Sequence, residues 1–274
     1  MTYTELANRL HAAGIETAEW EASLLIEHFC AVDATLVRME PEQRYESAEL
    51  DAAVKARESR YPLQYLLGSW GFFHQTYLVT PDCLIPRSDT EILVEEAIRR
   101  LPEGARFLDL CTGSGCIAVS TLAERPDTTA VAVDKFENTL RIATQNAEKN
   151  GVGNRFTPLL ADVLEKLPPS CEGLFDAIVA NPPYITTETL KSLAPEVQAE
   201  PRAALDGGDD GLLFYRRILE LHTTLLTPNG FLLFEIGYDQ AAAVLELGAS
   251  HGFIDGRVLC DLGGNTRVVV LKRS

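Results

Sequence analysis

Residues 106–124 read RFLDLCTGSGCIAVSTLAE, and this stretch decides the fold. A short apolar strand pattern runs directly into a glycine-rich turn, and a helical pattern begins immediately after the turn. Gly113 and Gly115 let the backbone turn tightly and approach a ligand, while the free N–H groups at the start of the helix face that ligand. The stretch therefore predicts a strand–turn–helix unit that holds a nucleotide-like cofactor.

The glycine spacing alone does not identify the cofactor. The Gly-x-Gly-x-x-Ala pattern from Gly113 to Ala118 also fits a dinucleotide fingerprint, and an ordinary strand-to-helix turn would carry the same glycines. A dehydrogenase would have to supply an acid or base for hydride transfer beside the fourth strand, and none is evident there. The other features of the sequence must separate these alternatives.

Strand patterns alternate with amphipathic helical patterns through the C-terminal two thirds of the chain. This alternation predicts an α/β fold with a doubly wound, mostly parallel sheet, similar to the Rossmann fold. The predicted strands after the first are residues 129–134, 156–162, 175–181, 231–237 and 267–272.

Acidic residues end two of these strands. Asp134 ends the second strand, where a carboxylate can accept hydrogen bonds from both hydroxyls of a ribose. Asp162 and its neighbour Val163 follow the third strand, where they could meet an adenine ring. The placement of Asp134 favours a riboside, but it does not separate NAD from other ribosides, and Asp162 could equally be a solvated loop carboxylate.

The fourth strand runs into the sequence Asn181-Pro182-Pro183-Tyr184. Prolines cannot donate to a strand ladder, so the strand must stop at Asn181. The segment that follows is stiff and offers carbonyl oxygens without N–H donors, which suits a ligand that brings its own N–H groups. The alternative is a turn that only ends the strand.

The remaining N-terminal part predicts two further regions. Residues 1–71 show helical patterns, beginning with a capping box from Thr2 to Glu5, and predict a small helical bundle. Because this region has a separate apolar pattern and no catalytic constellation, our hypothesis is that it docks the substrate. Residues 72–87 predict a β-hairpin linker that turns at Pro81 and Asp82. Residues 88–274 form the predicted catalytic domain, which starts with a second capping box from Ser88 to Glu91.

Composition excludes several classes of protein. The net charge of −16, from 24 basic and 40 acidic residues, disfavours direct binding to nucleic acid. No apolar run is long enough to span a membrane, and the N-terminus lacks the pattern of a signal peptide, so we expect a cytoplasmic protein. The six cysteines show neither zinc spacing nor a disulfide framework, and we expect no metal.

Several blocks of sequence together resemble the peptide chain release factor glutamine methyltransferases, the PrmC/HemK family of class I S-adenosylmethionine-dependent methyltransferases. The match runs over nearly the whole chain, in family order. The chain departs from the family pattern at three positions. Cys111 stands where glycine is usual, and Ser88-Asp89 replaces Pro-Glu. The blocks are PLQYLLG from Pro62, LIPRSDTE from Leu84, DLCTGSG from Asp109, NPPYI from Asn181, EPRAALDGGDDG from Glu200, LLFEIGYDQ from Leu232 and DLGGNTRVVV from Asp261.

The resemblance implies a seven-stranded sheet and transfer of a methyl group from S-adenosylmethionine to the glutamine of the Gly-Gly-Gln motif in class 1 release factors, with S-adenosylhomocysteine as the other product. It implies catalytic roles for Asn181, Pro182 and Tyr184, with Pro183 also binding substrate. The implied cofactor-binding residues are Asp109, Cys111, Thr112, Gly113, Ser114, Gly115, Asp134, Asp162, Val163 and Asn181.

Three other functions stay open at the level of sequence. A ribosomal-protein glutamine methyltransferase would share the active-site motif, and its helical domain would distinguish it. A DNA adenine methyltransferase would hold a similar planar –NH2 group, but the acidic charge and the lack of a basic recognition segment count against it. A cofactor-binding module without catalysis would not need Asn181 together with Tyr184.

Overall fold

The computed structural model describes residues 1–171 and 173–273, and the chain divides into two compact units. One unit comprises Met1–Ser69 and Ala194–Ala199, and the other comprises Trp70–Leu193 and Glu200–Ser274. Among the described residues, no helix is both long enough and apolar enough to cross a membrane. The docking and catalytic roles assigned to residues 1–71 and 88–274 stay predictions.

The first unit is helical, in agreement with the sequence patterns. The predicted capping box is present, because the Glu5 backbone N–H donates to Thr2 Oγ1 at 3.1 Å and the Thr2 N–H donates to Glu5 Oε2 at 2.9 Å. Ser47 caps the fourth helix through the Leu50 N–H. The helices are α1 (Tyr3–Ala12), α2 (Ala18–Cys30), α3 (Ala34–Met39), α4 (Ala48–Glu58) and α5 (Leu63–Leu67).

A buried ion cluster ties a distant segment into the helical unit. Arg57 on α4 pairs with Glu21 on α2 at 2.5 Å, and both side chains are almost fully buried. Glu196 accepts hydrogen bonds from Arg57 at 2.9 Å and from Arg60 at 2.5 Å. The middle of the long segment after Tyr184 therefore belongs to the helical unit, because buried cations require a paired carboxylate.

The β-hairpin lies earlier in the chain than predicted. Its strands are β1 (Ser69–Phe72) and β2 (Gln75–Leu78), joined by Phe73 and His74. Pro81 and Asp82 do form a turn, but no strand flanks it, so the predicted position of the hairpin turn is wrong. Phe73 adopts a positive φ of 53° without being glycine, which left the true turn without a sequence signal.

The second unit contains the predicted doubly wound sheet, with seven strands in the order β5-β4-β3-β6-β7-β9-β8. Strands β3 to β7 pair in parallel, and β9 is antiparallel to both β7 and β8. Parallel strands buried on both faces give the continuous apolar runs seen in the sequence. The strands are β3 (Arg106–Leu110), β4 (Thr129–Asp134), β5 (Phe156–Leu160), β6 (Phe175–Ala180), β7 (Leu226–Glu235), β8 (Phe253–Cys260) and β9 (Thr266–Arg273).

Helices cover the sheet and complete the α/β fold. Tyr215, Ile218 and Leu219 on the first helix after the long segment share one core cluster with residues of the central strands. The helices of this unit are α6 (Glu91–Arg100), α7 (Cys116–Glu124), α8 (Glu137–Lys149), α10 (Leu213–His222) and α11 (Ala241–Ser250), while the short α9 (Pro195–Gln198) belongs to the first unit.

The start of α6 differs from the prediction. A short 3-10 turn occupies Ser88–Thr90, and the helix begins at Glu91. The Glu91 carboxylate accepts the Phe73 backbone N–H at 2.9 Å, so it does not reach back to Ser88. The predicted capping box at Ser88 is therefore wrong, because the hairpin uses the carboxylate that the box requires.

Candidate active site

The carboxyl ends of β3, β4 and β6 open into one cavity of about 470 Å³ in the second unit. This volume lies within the range of about 300–1,000 Å³ that is typical of small-molecule and cofactor sites. The predicted site residues that line the cavity are Cys111, Thr112, Gly113, Ser114, Asp134, Asp162, Val163, Asn181 and Pro183.

Asp109 lies beneath the glycine-rich turn and does not line the cavity. Its side chain is fully buried, and Oδ2 accepts hydrogen bonds from Thr112 Oγ1 at 2.7 Å and from the Ala118 N–H at 3.3 Å. Burial raises the pKa of Asp109 to about 7, although these two hydrogen bonds oppose the rise. Asp109 thus fixes the turn to the start of α7.

Positive φ angles shape the glycine-rich turn. Cys111 has φ +60° and Gly113 has φ +56°, and a Cβ added at Gly113 would meet nothing closer than the Cys111 carbonyl oxygen at 4.0 Å. Gly115 also has a positive φ, but its added Cβ would lie 3.2 Å from the Ala143 Cβ. Gly113 therefore leaves open space for a ligand, whereas Gly115 allows α7 and α8 to pack closely.

Asp134 connects two turns at the cavity wall. Oδ2 accepts the Gly113 N–H at 3.1 Å, and Oδ1 accepts the Phe136 N–H at 3.1 Å. Burial raises the pKa of this carboxyl, and the backbone N–H donors oppose the rise. A carboxylate oxygen can accept more than one hydrogen bond, and each oxygen of Asp134 accepts one here. Asp134 therefore retains acceptor capacity toward the cavity.

Asp162 lies at the end of the neighbouring strand. Lys135 Nζ is 2.8 Å from Asp162 Oδ2, and the Leu164 N–H donates to Oδ1 at 3.0 Å. Burial would raise the pKa of Asp162, but the hydrogen bonds from Lys135 and Leu164 outweigh it and the pKa is lowered. The sequence alone did not indicate this ion pair.

Strand β6 ends at Ala180, and the Asn-Pro-Pro-Tyr turn begins beside the cavity. Asn181 Nδ2 donates to Thr90 Oγ1 at 3.3 Å. Pro182 and Pro183 are both buried, and Pro183 contributes to the cavity lining. The Tyr184 carbonyl accepts from Gln240 Nε2 at 3.0 Å, and its side chain packs against the core, where burial raises the phenol pKa.

Sequence reasoning missed several residues of this region. Glu200 is buried, accepts the Ile85 N–H at 3.0 Å and pairs with Arg87, which lines the cavity. Phe136 also lines the cavity and is 47% exposed. Glu235 ends β7 as a buried carboxyl close to Asn181. An acidic residue that interrupts an apolar strand, as Glu235 does, was the available signal.

Comparison with known proteins identifies the family. A family model described as the PrmC N-terminal domain matches residues 2–68, and one described as the methyltransferase small domain matches residues 88–232. The release factor glutamine methyltransferase of Geobacter sulfurreducens is 41% identical, over 93% of this chain and 90% of that protein. The one from Moorella thermoacetica is also 41% identical, over 98% and 96%.

The chain belongs to the release factor glutamine methyltransferase family. Its second unit is therefore a methyltransferase domain, and methyltransferases of this family use S-adenosylmethionine. The solved catalytic domain of hMettl16, in complex with MAT2A 3′UTR hairpin 6, has a TM-score of 0.57 at 17% identity and covers 81% of this chain and 80% of that chain. At this identity the likeness shows a shared fold.

Proposed function

We propose that this protein transfers the methyl group of S-adenosylmethionine to the side-chain amide nitrogen of glutamine in the Gly-Gly-Gln motif of class 1 release factors. One observation gives the proposal its main support. Asn181 directly follows β6 and lines the cavity, and its own –NH2 group donates to Thr90. Its carbonyl oxygen is therefore left to accept a hydrogen bond from an amide substrate.

Catalysis requires that the chain hold a poor nucleophile in line with the methyl group. The amide lone pair is delocalised into the carbonyl group, so the nitrogen reacts only when its orientation is fixed. Asn181 Oδ1 and the Pro182 carbonyl oxygen accept the two amide N–H bonds in this proposal. Holding both N–H bonds directs the lone pair toward the methyl group. Tyr184 is proposed to stack on the amide plane of the bound substrate.

The residues around the cavity fit the cofactor. S-adenosylmethionine supplies an electrophilic methyl group on a sulfonium sulfur when it is bound. Asp134 has acceptor capacity for ribose hydroxyls, and Gly113 leaves open space above the turn. Asp162 and Val163 line the part of the cavity after β5, where we place the adenine. Thr112, Ser114 and the backbone of Cys111 complete the proposed cofactor-binding surface.

The bonds formed and broken in the proposed methyl transfer balance without a metal ion. The bond between the amide nitrogen and the methyl carbon forms as the sulfur–methyl bond breaks, and S-adenosylhomocysteine leaves. The nitrogen becomes acidic only as the new bond forms, so its proton can pass to water afterwards. The positive charge of the sulfonium disperses during the transfer. In this proposal the chain accelerates the reaction by positioning the substrate amide against the methyl group. We assign the reaction to the cytoplasm, with no nucleic acid as substrate.

The test uses labelled S-adenosylmethionine with purified release factors. We expect label in the wild-type release factor and none in a variant whose Gly-Gly-Gln motif carries alanine in place of glutamine. Ribosomal proteins and plasmid DNA serve as competing substrates in parallel reactions. Label in a ribosomal protein or in adenine, with none in release factors, would reject the proposed substrate.

Asp134→Ala should weaken cofactor binding at least tenfold. The change removes charge-assisted hydrogen bonds worth about 1.5–3 kcal/mol each, and tenfold corresponds to about 1.4 kcal/mol. Isothermal titration with S-adenosylmethionine measures the effect, and the melting temperature checks the fold. Asp255→Ala, which removes a carboxylate on β8 outside the cavity lining, is the control. An Asp134→Ala affinity equal to that of the control would reject the ribose assignment.

The helical unit is proposed to dock the protein substrate. A fragment that starts at Trp70, where the second unit begins, should retain cofactor binding. Its KM for an intact release factor should rise by tenfold or more, while a short peptide containing Gly-Gly-Gln should be methylated as well as by the full chain. Equal KM values of the fragment and the full chain for the intact release factor would contradict the docking role.

A further inference from the structure

Glu235 is a buried carboxyl that the proposed reaction does not yet use. It ends β7, is 2% exposed, and its Oε2 atom has no hydrogen-bond partner among the described residues. The Thr90 hydroxyl and the Asn181 amide both interact with this carboxyl. A carboxyl costs free energy to bury, so its position beside the substrate-binding asparagine requires a physical reason.

Thr90 connects Glu235 to Asn181. It occupies the N-cap position of α6, yet its side chain makes no capping hydrogen bond. Its hydroxyl oxygen instead accepts from Asn181 Nδ2 at 3.3 Å, and the residue is 2% exposed. Threonine is favoured at N-caps because it satisfies backbone N–H groups, so here the hydroxyl serves another partner.

We propose that Glu235 is a positioning residue that, directly and through Thr90, fixes which end of the Asn181 amide faces the substrate. This inference rests on the proposed function. An ionised carboxylate can only accept hydrogen bonds, and a hydroxyl has one proton. When the Thr90 proton is donated to Glu235, the Thr90 oxygen must accept. Asn181 can then present only its –NH2 group to Thr90, which turns its carbonyl oxygen toward the substrate.

The charged groups around Glu235 set the pH range in which this orientation holds. Burial raises the pKa of Glu235 to about 7, and the Thr90 hydroxyl opposes the rise. Asp89 raises this pKa further, while Arg267 and Asn181 lower it. Asp89 and Arg267 themselves form an ion pair at 3.0 Å. Tyr184, Tyr215 and Cys116 also face Glu235, and burial raises the pKa of each of them, so they stay neutral near pH 7.

Protonation of Glu235 would allow the Asn181 amide to flip. A protonated carboxyl can donate to Thr90, which frees the Thr90 proton to donate to Asn181 Oδ1. The flipped amide would then present –NH2 to the –NH2 of the substrate, and two donors cannot bond. The raised pKa means that the active, ionised form is present above about pH 7 and is lost as the pH falls through that value.

The test compares Glu235→Gln with the wild-type protein in single-turnover methylation of a release factor at saturating S-adenosylmethionine. Glutamine has nearly the same shape, but it can both donate and accept, so it no longer selects one orientation. We expect kcat to fall at least tenfold and the acid limb of its pH profile to flatten. Titration should find cofactor affinity within about twofold of wild type. This result would distinguish the role of Glu235 from that of Asp109, whose pKa is also about 7 but which fixes the glycine-rich turn.

A matched pair at Thr90 tests the connection. Thr90→Ser keeps the hydroxyl and should retain kcat within about threefold, whereas Thr90→Val keeps the shape, lacks the hydroxyl and should lose at least tenfold. Equal losses in the two variants would overturn the proposal, as would a Glu235→Gln protein with wild-type kcat and pH profile. A wild-type protein that binds cofactor but labels no release factor would overturn the proposed function and this inference with it.

Discussion

Asn181→Ala should lower kcat by about 10²-fold or more and leave cofactor affinity close to that of the wild-type protein. The variant loses the acceptor that we assign to the substrate amide, and with it the fixed direction of the nitrogen lone pair. Removing one preorganised polar group from an active site typically costs about 10²–10³ in kcat. Strand β6 ends before this residue, so the fold should persist.

Single-turnover methylation at saturating S-adenosylmethionine measures this effect, with cofactor binding determined separately. Asn154→Ala is the matched control, because Asn154 is exposed and lies outside the cavity lining. Asn181→Asp adds a different test, since it keeps an acceptor but places a charge near the sulfonium, which favours the ground state over the charge-dispersed transition state. Near-wild-type turnover of Asn181→Ala would mean that the turn only ends the strand.

The sequence predicted those parts of the fold that depend on local pattern. Strand β4 has the predicted bounds, and β6 stops before Asn181 because two prolines follow. Strand β8 was not predicted, because it is an exposed edge strand in which Gly256 and Arg257 break any apolar run. Apolar periodicity finds strands that carry an apolar run and misses a strand such as β8, in which that run is broken.

The parts of the candidate site that the sequence did not predict depend on contacts between distant residues. Asp109 was expected to bind cofactor, but the structure places it beneath the turn, where it accepts from Thr112. Glu91 had the spacing of a capping box, yet it accepts the Phe73 N–H from the hairpin. Thr90 and Glu235 lie 145 positions apart in the sequence, so no local motif could join them to Asn181.

A second large effect is expected at Gly207, which packs against the backbone of the Asn-Pro-Pro-Tyr turn. A Cβ added at Gly207 would lie 2.7 Å from Tyr184 Cα and 2.8 Å from the Pro183 carbonyl oxygen. The Gly207 N–H also donates to the Ile185 carbonyl at 2.8 Å, so the two segments cannot separate freely. Even alanine at this position must displace the turn.

Gly207→Ala should therefore lower kcat on the order of 10²-fold, because a shift of about 1 Å in a positioning group can cost that much. Overpacking should also lower the free energy of unfolding by about 1–3 kcal/mol. Gly71→Ala is the matched control, since an added Cβ there meets no atom within 4 Å. Turnover and urea unfolding of both variants should be measured together. If Gly207→Ala lost stability but kept full turnover, the exact position of the turn would not limit methyl transfer, and the positioning argument for Asn181 would fail with it.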